Sequence, residues 1–358
     1  FEPVHSFVCF LSLLYITQSL RHAVPSLHTR LRVFTAPISA SALLRSYFSP
    51  IGEKYTQVLE TQKEMCYTNR AIYNDEENSG NGSFSAARRA LQNTGGSNMS
   101  TKIIASDYDG TLCRDEGITE HDKAAIARWQ TAGNLFGLVT GRNIHDALAV
   151  TRDPSCGIRF DFVICCSGSI VLDRDGHIIY DGAGEIPCLD RLADDFLSYD
   201  PMWLGLCRGE KRYALPVGQD SEHSEGETAP DGRLFLPREE FDKLRSFNVI
   251  QSAYPTVELA AEVTRTLEQR YGEWIHICAN SFYLDTVPRG GGKSTGIRAL
   301  ADKLGIAEDD IISAGDNLND IDMLTDFRSF AISTGHANAK AAADFTVDDI
   351  AAIVDAEI

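Results

Sequence analysis

The chain has 358 residues and a mass of 39.3 kDa, more than one ordinary domain holds. Hydrophobic residues make up 43% and charged residues 23%, a balance that argues against wholesale disorder. The formal net charge of -18 argues against a nucleic-acid protein, which needs a Lys/Arg surplus for phosphate contacts, but leaves a small phosphorylated ligand open because a bound cation reverses the sign locally.

Residues 1–98 hold nine Lys/Arg against seven Asp/Glu, so the acidity belongs to 99–358. Phe7 to Ile16 is a ten-residue apolar run, shorter than the ~20 residues a membrane span needs and without the positive flank of a signal peptide. Residues 74–98 have the Asn/Gly/Ser composition of a linker. The chain opens on Phe1, and Met99 stands just before a strand-like run. Residues 1–98 are therefore expected to be an appendage and linker, either disordered or not native. Nine scattered cysteines, odd in number and without C-x-x-C or zinc spacing, read as reduced, mostly buried thiols of a cytoplasmic protein. Secretion is the alternative should residues 1–20 be a signal.

Lys102 to Ser106 reads as a short buried strand running into Asp107-Tyr108-Asp109-Gly110-Thr111. Carboxylates at i and i+2 leave an extended chain on one side, and at a strand's carboxyl edge they enter the ligand crevice of an open α/β sheet. Gly110 permits a sharp turn with amides exposed. A helix is predicted over Glu120 to Ala132 with Thr119 as N-cap. A second buried strand, Leu135 to Val139, ends in Thr140-Gly141-Arg142, a hydroxyl and a bare backbone suited to phosphate. A third, Phe162 to Cys166, ends in Ser167-Gly168-Ser169 and is followed by a hairpin turning at Asp175-Gly176. Pro288 to Ser294 opens a helix reaching Leu304. A P-loop is excluded because Val287 stands where its first Gly belongs. The glycines instead bring Lys293 close to an anion at a helix start. Ile311 to Ala314 leads into Gly315-Asp316-Asn317-Leu318-Asn319-Asp320, whose oxygens suit Mg2+, ahead of a short helix at Ile321 to Leu324.

Taken singly, each segment is also readable as an ordinary turn or cap. Together and in this order they resemble the haloacid dehalogenase superfamily of aspartate-nucleophile phosphatases, over about residues 101–348. The family's four motifs match Asp107 with Asp109, Thr140, Lys293, and Asp316 with Asp320. The resemblance implies an α/β fold, a Rossmann-like parallel sheet core. Only 32 residues separate Asp107 from Thr140, one crossover, whereas 123 separate Ser169 from Lys293. The second interval holds the inserted α+β cap domain of the class IIB, Cof-type branch. The expected division is a catalytic core of 99–182 plus 286–358, with a cap at 183–285.

Strands are predicted in the insert at Lys211 to Val217 and Ser246 to Gln251, with a closing hairpin at Trp274 to Cys278 and Ser281 to Leu284. An amphipathic helix is predicted over Glu258 to Tyr271. Gly218 to Gly232 reads as a loop. Trp203, Tyr213 and Phe282 read as cap core. Arg208, Lys211 and Arg212 read as solvated surface cations, the other reading being positive charge offered to the leaving group. Ser167-Gly168-Ser169 departs from the Asn-Gly-Ala usual in the branch, which puts local substrate contacts in question.

The resemblance implies that Asp107 is the nucleophile and Asp109 the acid/base. It also implies that Thr140, Gly141, Lys293 and Asn319 bind phosphate. The metal, Mg2+, is assigned to Asp107, Asp109 (through its carbonyl), Asp316 and Asp320, the last more as a residue that orients a metal-bound water or Lys293. The expected activity is hydrolysis of a small phosphorylated metabolite, a sugar phosphate or similar, with neither nucleic acid nor membrane as partner. A phosphomutase of a related branch and a receiver-like phospho-Asp module are the other readings.

Overall fold

A computed structural model of the chain describes residues 100–358. The expected appendage, its apolar run and Met99 lie outside the described residues. The first strand, β1 (Ile103–Ser106), is buried along its whole length, as an apolar run covered on both faces must be. Helix α1 (Glu120–Thr131) starts where the Thr119 hydroxyl accepts the Asp122 amide hydrogen, and buries Asp122, Ala125, Ile126 and Trp129 as one stripe. Inside it, the Asp122 carboxylate is fully satisfied by Arg114 (2.6 Å), the Thr119 hydroxyl (2.8 Å) and the Ala351 amide (3.1 Å). Next come β2 (Leu135–Val139), α2 (Ile144–Arg152), β3 (Phe162–Cys165) and the hairpin β4 (Ile170–Asp173) to β5 (Ile178–Asp181).

The insert runs β6 (Gly184–Glu185), α3 (Leu189–Leu197), β7 (Trp203–Arg208), β8 (Lys211–Leu215), β9 (Leu234–Phe235), α4 (Arg238–Phe241), β10 (Ser246–Phe247), β11 (Val249–Ala253), α5 (Val257–Tyr271), β12 (Ile275–Asn280) and β13 (Tyr283–Pro288). The chain then rejoins the first sheet through α6 (Lys293–Leu304), β14 (Ile311–Gly315), α7 (Ile321–Asp326), β15 (Arg328–Ile332), α8 (Ala337–Ala342), β16 (Phe345–Val347) and α9 (Ile350–Glu357).

The first sheet has eight strands in the order β16-β15-β14-β1-β2-β3-β4-β5. Neighbours from β16 to β3 are parallel, and β4 and β5 are antiparallel additions. The chain winds outward from β1 through β2 and β3, then after the insert outward on the other side through β14, β15 and β16. The adjacent β1 and β14 therefore flank the point where the order reverses, and their carboxyl ends border the crevice. Alternate side chains feed two apolar layers. Ile103 and Ala105 pack with Ile297, Leu300 and Met323, while Ile104 and Leu138 pack with Ile126, Trp129, Ile350 and Val354.

The second sheet has six strands in the order β12-β13-β11-β7-β8-β9, all antiparallel except the β8–β9 pair. One face carries Leu204, Leu206, Ile250 and Leu284 against Leu192 and Phe196 of α3 and Val263 and Leu267 of α5. On the other face Cys207, Val249, Cys278 and Val287 join the apolar cluster of the first sheet. Helices thus cover one side of this α+β unit, and its other side meets the core. The seven described cysteines are free thiols, all buried except Cys113. Among the described residues, no helix is long and apolar enough to cross a membrane.

Three local expectations need correction. Ser246 to Gln251 is two strands: Ser246–Phe247 pairs with β6 and Val249–Ala253 with β7, and Asn248 sits at the bend between them, its amide donating to the Cys207 carbonyl (2.8 Å) while its side chain is a hub. Its Oδ1 accepts from the Gly209 amide (2.7 Å), and its Nδ2 donates to Ser169 Oγ (3.1 Å) and Asp181 Oδ1 (2.8 Å). Of the three aromatics assigned to the cap core, only Tyr213 packs against the apolar cluster. Trp203 and Phe282 are half-buried outside it, and Phe282 lies 4.3 Å from the Tyr283 ring, centroid to centroid. Arg208 and Arg212 are tied rather than solvated: Arg208 meets Asp181 at 2.7 Å, and Arg212 reaches Asp146 at 3.8 Å and the Asp231 carbonyl at 2.8 Å. Lys211 is exposed, as expected.

Asn248 has no exposed surface, so truncating it leaves buried donors and acceptors unpaired. Asn248→Ala is expected to cost about 1–3 kcal/mol of stability, read as a lower urea midpoint at unchanged slope. An unchanged midpoint would refute the role of the hub.

Candidate active site

The Asp107 amide donates to the Ala314 carbonyl (2.9 Å), so the loop after β1 continues the ladder with β14 for one more residue. The next turn is closed by the Cys113 amide donating to the Tyr108 carbonyl (2.8 Å). Gly110 occupies the left-handed region at φ 91°, and a Cβ there would overlap the Asp316 carboxylate. The turn can therefore approach the β14 loop only with glycine at this position. Thr111 follows and donates its hydroxyl to Asp316 Oδ1 at 2.7 Å.

Lys293 is the first residue of α6 and is 1% exposed. Its ammonium lies 2.5 Å from Asp107 Oδ1 and 2.5 Å from Asp320 Oδ1. Burial alone would push this amine down, but the two carboxylates hold it charged and raise it above its usual range. Gly292 supplies no side-chain cap to α6. Instead Asp322 reaches across and accepts the Ser294 amide hydrogen at 2.9 Å, fixing the helix start that carries Lys293.

Asp320 is fully buried and engages both oxygens: Oδ1 holds Lys293, and Oδ2 accepts the amides of Asp316 and Asn317, both at 2.9 Å. It shapes the loop and steadies the lysine. Asp107 is pushed well above the usual carboxylate range by burial, opposed by Lys293 and reinforced by the charges of Asp320, Asp316 and Asp109. Burial, with repulsion from Asp320, also raises Asp316 to about 6 against the Thr111 hydrogen bond.

The carboxylates of Asp107, Asp316 and Asp320 approach within 4.8 Å of one another. Three carboxylates set against one ammonium leave a local negative excess, and hard oxygen donors of this kind suit a divalent cation such as Mg2+. Asp107 and Asp316 fit as ligands, because Asp320 already spends its oxygens on Lys293 and the loop amides. The Asp109 carboxylate stands outside the trio.

Asp109 is gripped by Arg142, whose Nη2 lies 2.8 Å from Oδ1 and whose Nε lies 3.1 Å from Oδ2. The Arg142 guanidinium also sits 5.5 Å from the Tyr108 ring centroid. Thr140 is 2% exposed at the end of β2, and its Oγ1 accepts the Arg142 amide at 3.2 Å. Gly141 sits under the second sheet, where a Cβ would overlap the Asp285 carboxylate. Asn319 lies in the Asp316–Asp320 loop with a buried Oδ1 that has no hydrogen-bond partner within the protein.

The structure thus gathers Asp107, Asp316, Asp320 and Lys293 at the β1–β14 switch point, with Asp109 and Arg142 beside them. Sequence reasoning passed over Thr111, Arg142 and Asp322. Arg142 was visible as the third letter of the T-G-R segment, a cation after the strand next to the acids. Asp322 had no local signal, because it caps a helix 28 residues upstream. Ser167 and Ser169, the two departures from the usual branch pattern, both bond to the second sheet and its flank: Ser167 to Asp285 at 2.6 Å and Ser169 to Asn248 at 3.1 Å.

The haloacid dehalogenase-like hydrolase pattern matches residues 104–352. The chain therefore belongs to this family, and it is a phosphatase-type enzyme within it. A 5-amino-6-(5-phospho-D-ribitylamino)uracil phosphatase of Escherichia coli strain K12 is 22% identical over 251 residues, covering 69% of this chain and 90% of its own. A glucosylglycerol-phosphate synthase of Pseudomonas anguilliseptica is 44% identical over 231 residues, covering 62% of this chain but 25% of the synthase. A solved subclass IIB sugar phosphatase superposes with a TM-score of 0.58 at 20% identity, covering 72% of this chain and 98% of its own. That likeness shows the fold.

Since Asp316 binds its proton more tightly folded than unfolded, its ionisation destabilises the metal-free protein above about pH 6, and the cost fades toward the unfolded value of 3.8. In chelator-treated protein, the urea midpoint of wild type relative to Asp316→Asn is expected to rise as pH is lowered from about 7 to 4. A difference independent of pH would refute the assignment.

Proposed function

We propose that the protein is a Mg2+-dependent phosphomonoester hydrolase acting on a small sugar or polyol phosphate through an aspartyl-phosphate. The observation that carries this reading is the Asp107 carboxylate, held at a strand end by a buried Lys293 with Asp109 two residues away. One oxygen of Asp107 attacks phosphorus, and the bond from phosphorus to the leaving oxygen breaks. Asp109 protonates that oxygen, so the alcohol leaves neutral. Asp109 then takes a proton from the water that attacks the phospho-aspartate, regenerating Asp107 and releasing inorganic phosphate.

Lys293, Thr140 and the amides of the turn after Asp107 bind the phosphoryl oxygens, where negative charge must be stabilised. Gly141 offers its bare backbone beside them, and Asn319 offers its amide from the facing loop. Arg142 aims the Asp109 carboxylate. Mg2+, held by Asp107 and Asp316 with the Asp109 carbonyl, would supply charge neutralisation between carboxylates and phosphate. Asp320 positions the lysine. The second sheet, over Thr140 and Gly141, shields the site from water.

The names of the relatives support the substrate class. One solved neighbour is a sugar phosphatase. The synthase with a matching segment is named for glucosylglycerol phosphate, itself a glycoside of a polyol carrying a phosphomonoester.

Phosphate release from p-nitrophenyl phosphate and from a panel of sugar and polyol phosphates, glucosylglycerol phosphate among them, tests the reading. Asp107→Asn is expected to lose more than about 10^3-fold in kcat. Asp109→Asn should lose about 10^2 to 10^4-fold. EDTA should abolish turnover, and Mg2+ should restore it. An Asp107→Asn enzyme as active as wild type, or full activity in EDTA, would overturn the nucleophile or the metal respectively. Isomerisation of a sugar monophosphate that needs a sugar bisphosphate activator and releases no inorganic phosphate would indicate a mutase, and a stable phospho-protein a receiver-like module.

A further inference from the structure

The core-facing side of the second sheet carries two charged groups, Arg212, which reaches Asp146 at 3.8 Å, and Asp285, which lies against Gly141. Asp285 on β13 stands opposite Gln251 on β11 in the strand register, and Gln251 Nε2 donates to Asp285 Oδ1 at 2.9 Å. Ser167, in the left-handed turn after β3 (φ 50°), donates its hydroxyl to Asp285 Oδ2 at 2.6 Å. Gln251 Nε2 also lies 3.4 Å from the Gly141 carbonyl. The carboxylate thus rests on the residue that follows Thr140, where any side chain on Gly141 would displace it.

The walls around this pair are weakly polar. Cys278 is the strand neighbour of Asp285, and Cys207 Sγ lies 4.0 Å from Gln251 Oε1. That contact leaves Oε1 with spare accepting capacity. Burial pushes the Asp285 carboxyl up, opposed by Gln251, Ser167 and the more distant charge of Lys293. A carboxylate that accepts, beside an amide that both donates and accepts, matches neighbouring hydroxyls, each of which donates and accepts. The same negative charge repels a second anion on the ligand.

We propose that Asp285 and Gln251 form the leaving-group subsite and read the hydroxyls of a neutral polyol or sugar, selecting its monophosphate over esters that carry a second phosphate or a carboxylate. Ser167 positions the carboxylate. The proposal rests on the phosphatase reading above and adds which residues select the leaving group and why a second anion is rejected. It also gives the Ser167 departure from the branch a use: a hydroxyl there reaches the cap carboxylate.

The test uses the full chain with Mg2+ and compares kcat/KM for glucosylglycerol phosphate, p-nitrophenyl phosphate (which offers no hydroxyl) and a hexose bisphosphate. Asp285→Ala is expected to lower the ratio of polyol phosphate over p-nitrophenyl phosphate by about 10^2-fold or more, because a site built for hydroxyls discriminates through them. Asp285→Asn should raise the bisphosphate share, and Asp285→Glu should recover part of the ratio. Gln251→Leu, which removes no charge, is the second variant and should lower the same ratio about tenfold, a loss of one hydrogen bond. Equal losses on all three substrates would mark a structural role and overturn the proposal. A wild-type enzyme preferring the bisphosphate would overturn it as well. Those results leave the phosphatase reading standing, whereas a wild type that releases phosphate from no ester sinks both.

Discussion

The site depends on a single ammonium placed between two buried carboxylates. Lys293 touches Asp107 on one side and Asp320 on the other, and none of the three groups has more than a trace of exposed surface. Burying charges is costly unless they are paired, and removing one partner of such a pair costs about 3–5 kcal/mol. The constraint reaches outward from there. Asp320 holds the amides that shape the Asp316 loop, Asp322 holds the first turn of α6 behind the lysine, and Asp107 ends the strand that pairs with β14. A shift of any one element would leave a buried charge unpaired, so the site and the sheet hold each other in register.

At the rim a second charge pair works under different physics. Asp109 is largely open to water and bound side-on by the Nε–Nη2 edge of the Arg142 guanidinium. A pair of this kind contributes little to stability, but its planar geometry fixes where the carboxylate points. The interior pair holds charge in place, whereas the rim pair aims a group whose proposed work is to pass protons. The acids near the site, Asp107, Asp109, Asp316 and Asp320, outnumber its cations Lys293 and Arg142, in keeping with the net charge of -18.

The inserted sheet meets the core through polar contacts as well as through its apolar face. Asn248 joins Ser169 and Asp181, Asp285 joins Ser167, and Arg208 joins Asp181. These links lie where the chain leaves and re-enters the core, so they set how side chains of the second sheet face the Thr140–Gly141 turn. The lining over Gly141 follows from that setting.

The sequence by itself determined the parts that repeat locally. Buried strands showed as short apolar runs, and helices as stripes begun by a capping hydroxyl. Each strand-end segment already held its acid, hydroxyl or amide, and their order with the long gap before Lys293 placed the insert. What only the tertiary structure decided was pairing across distance. Lys293 and Asp107 are 186 residues apart, Ser167 and Asp285 are 118 apart, and Arg142 and Asp109 are 33 apart. Such contacts leave no periodic trace, because sequence periodicity reports which face of an element is buried and not which partner it meets. Asn248 shows the same limit: its flanks read as one continuous strand, whereas one pairs with β6 and the other with β7, partners that the local sequence does not name.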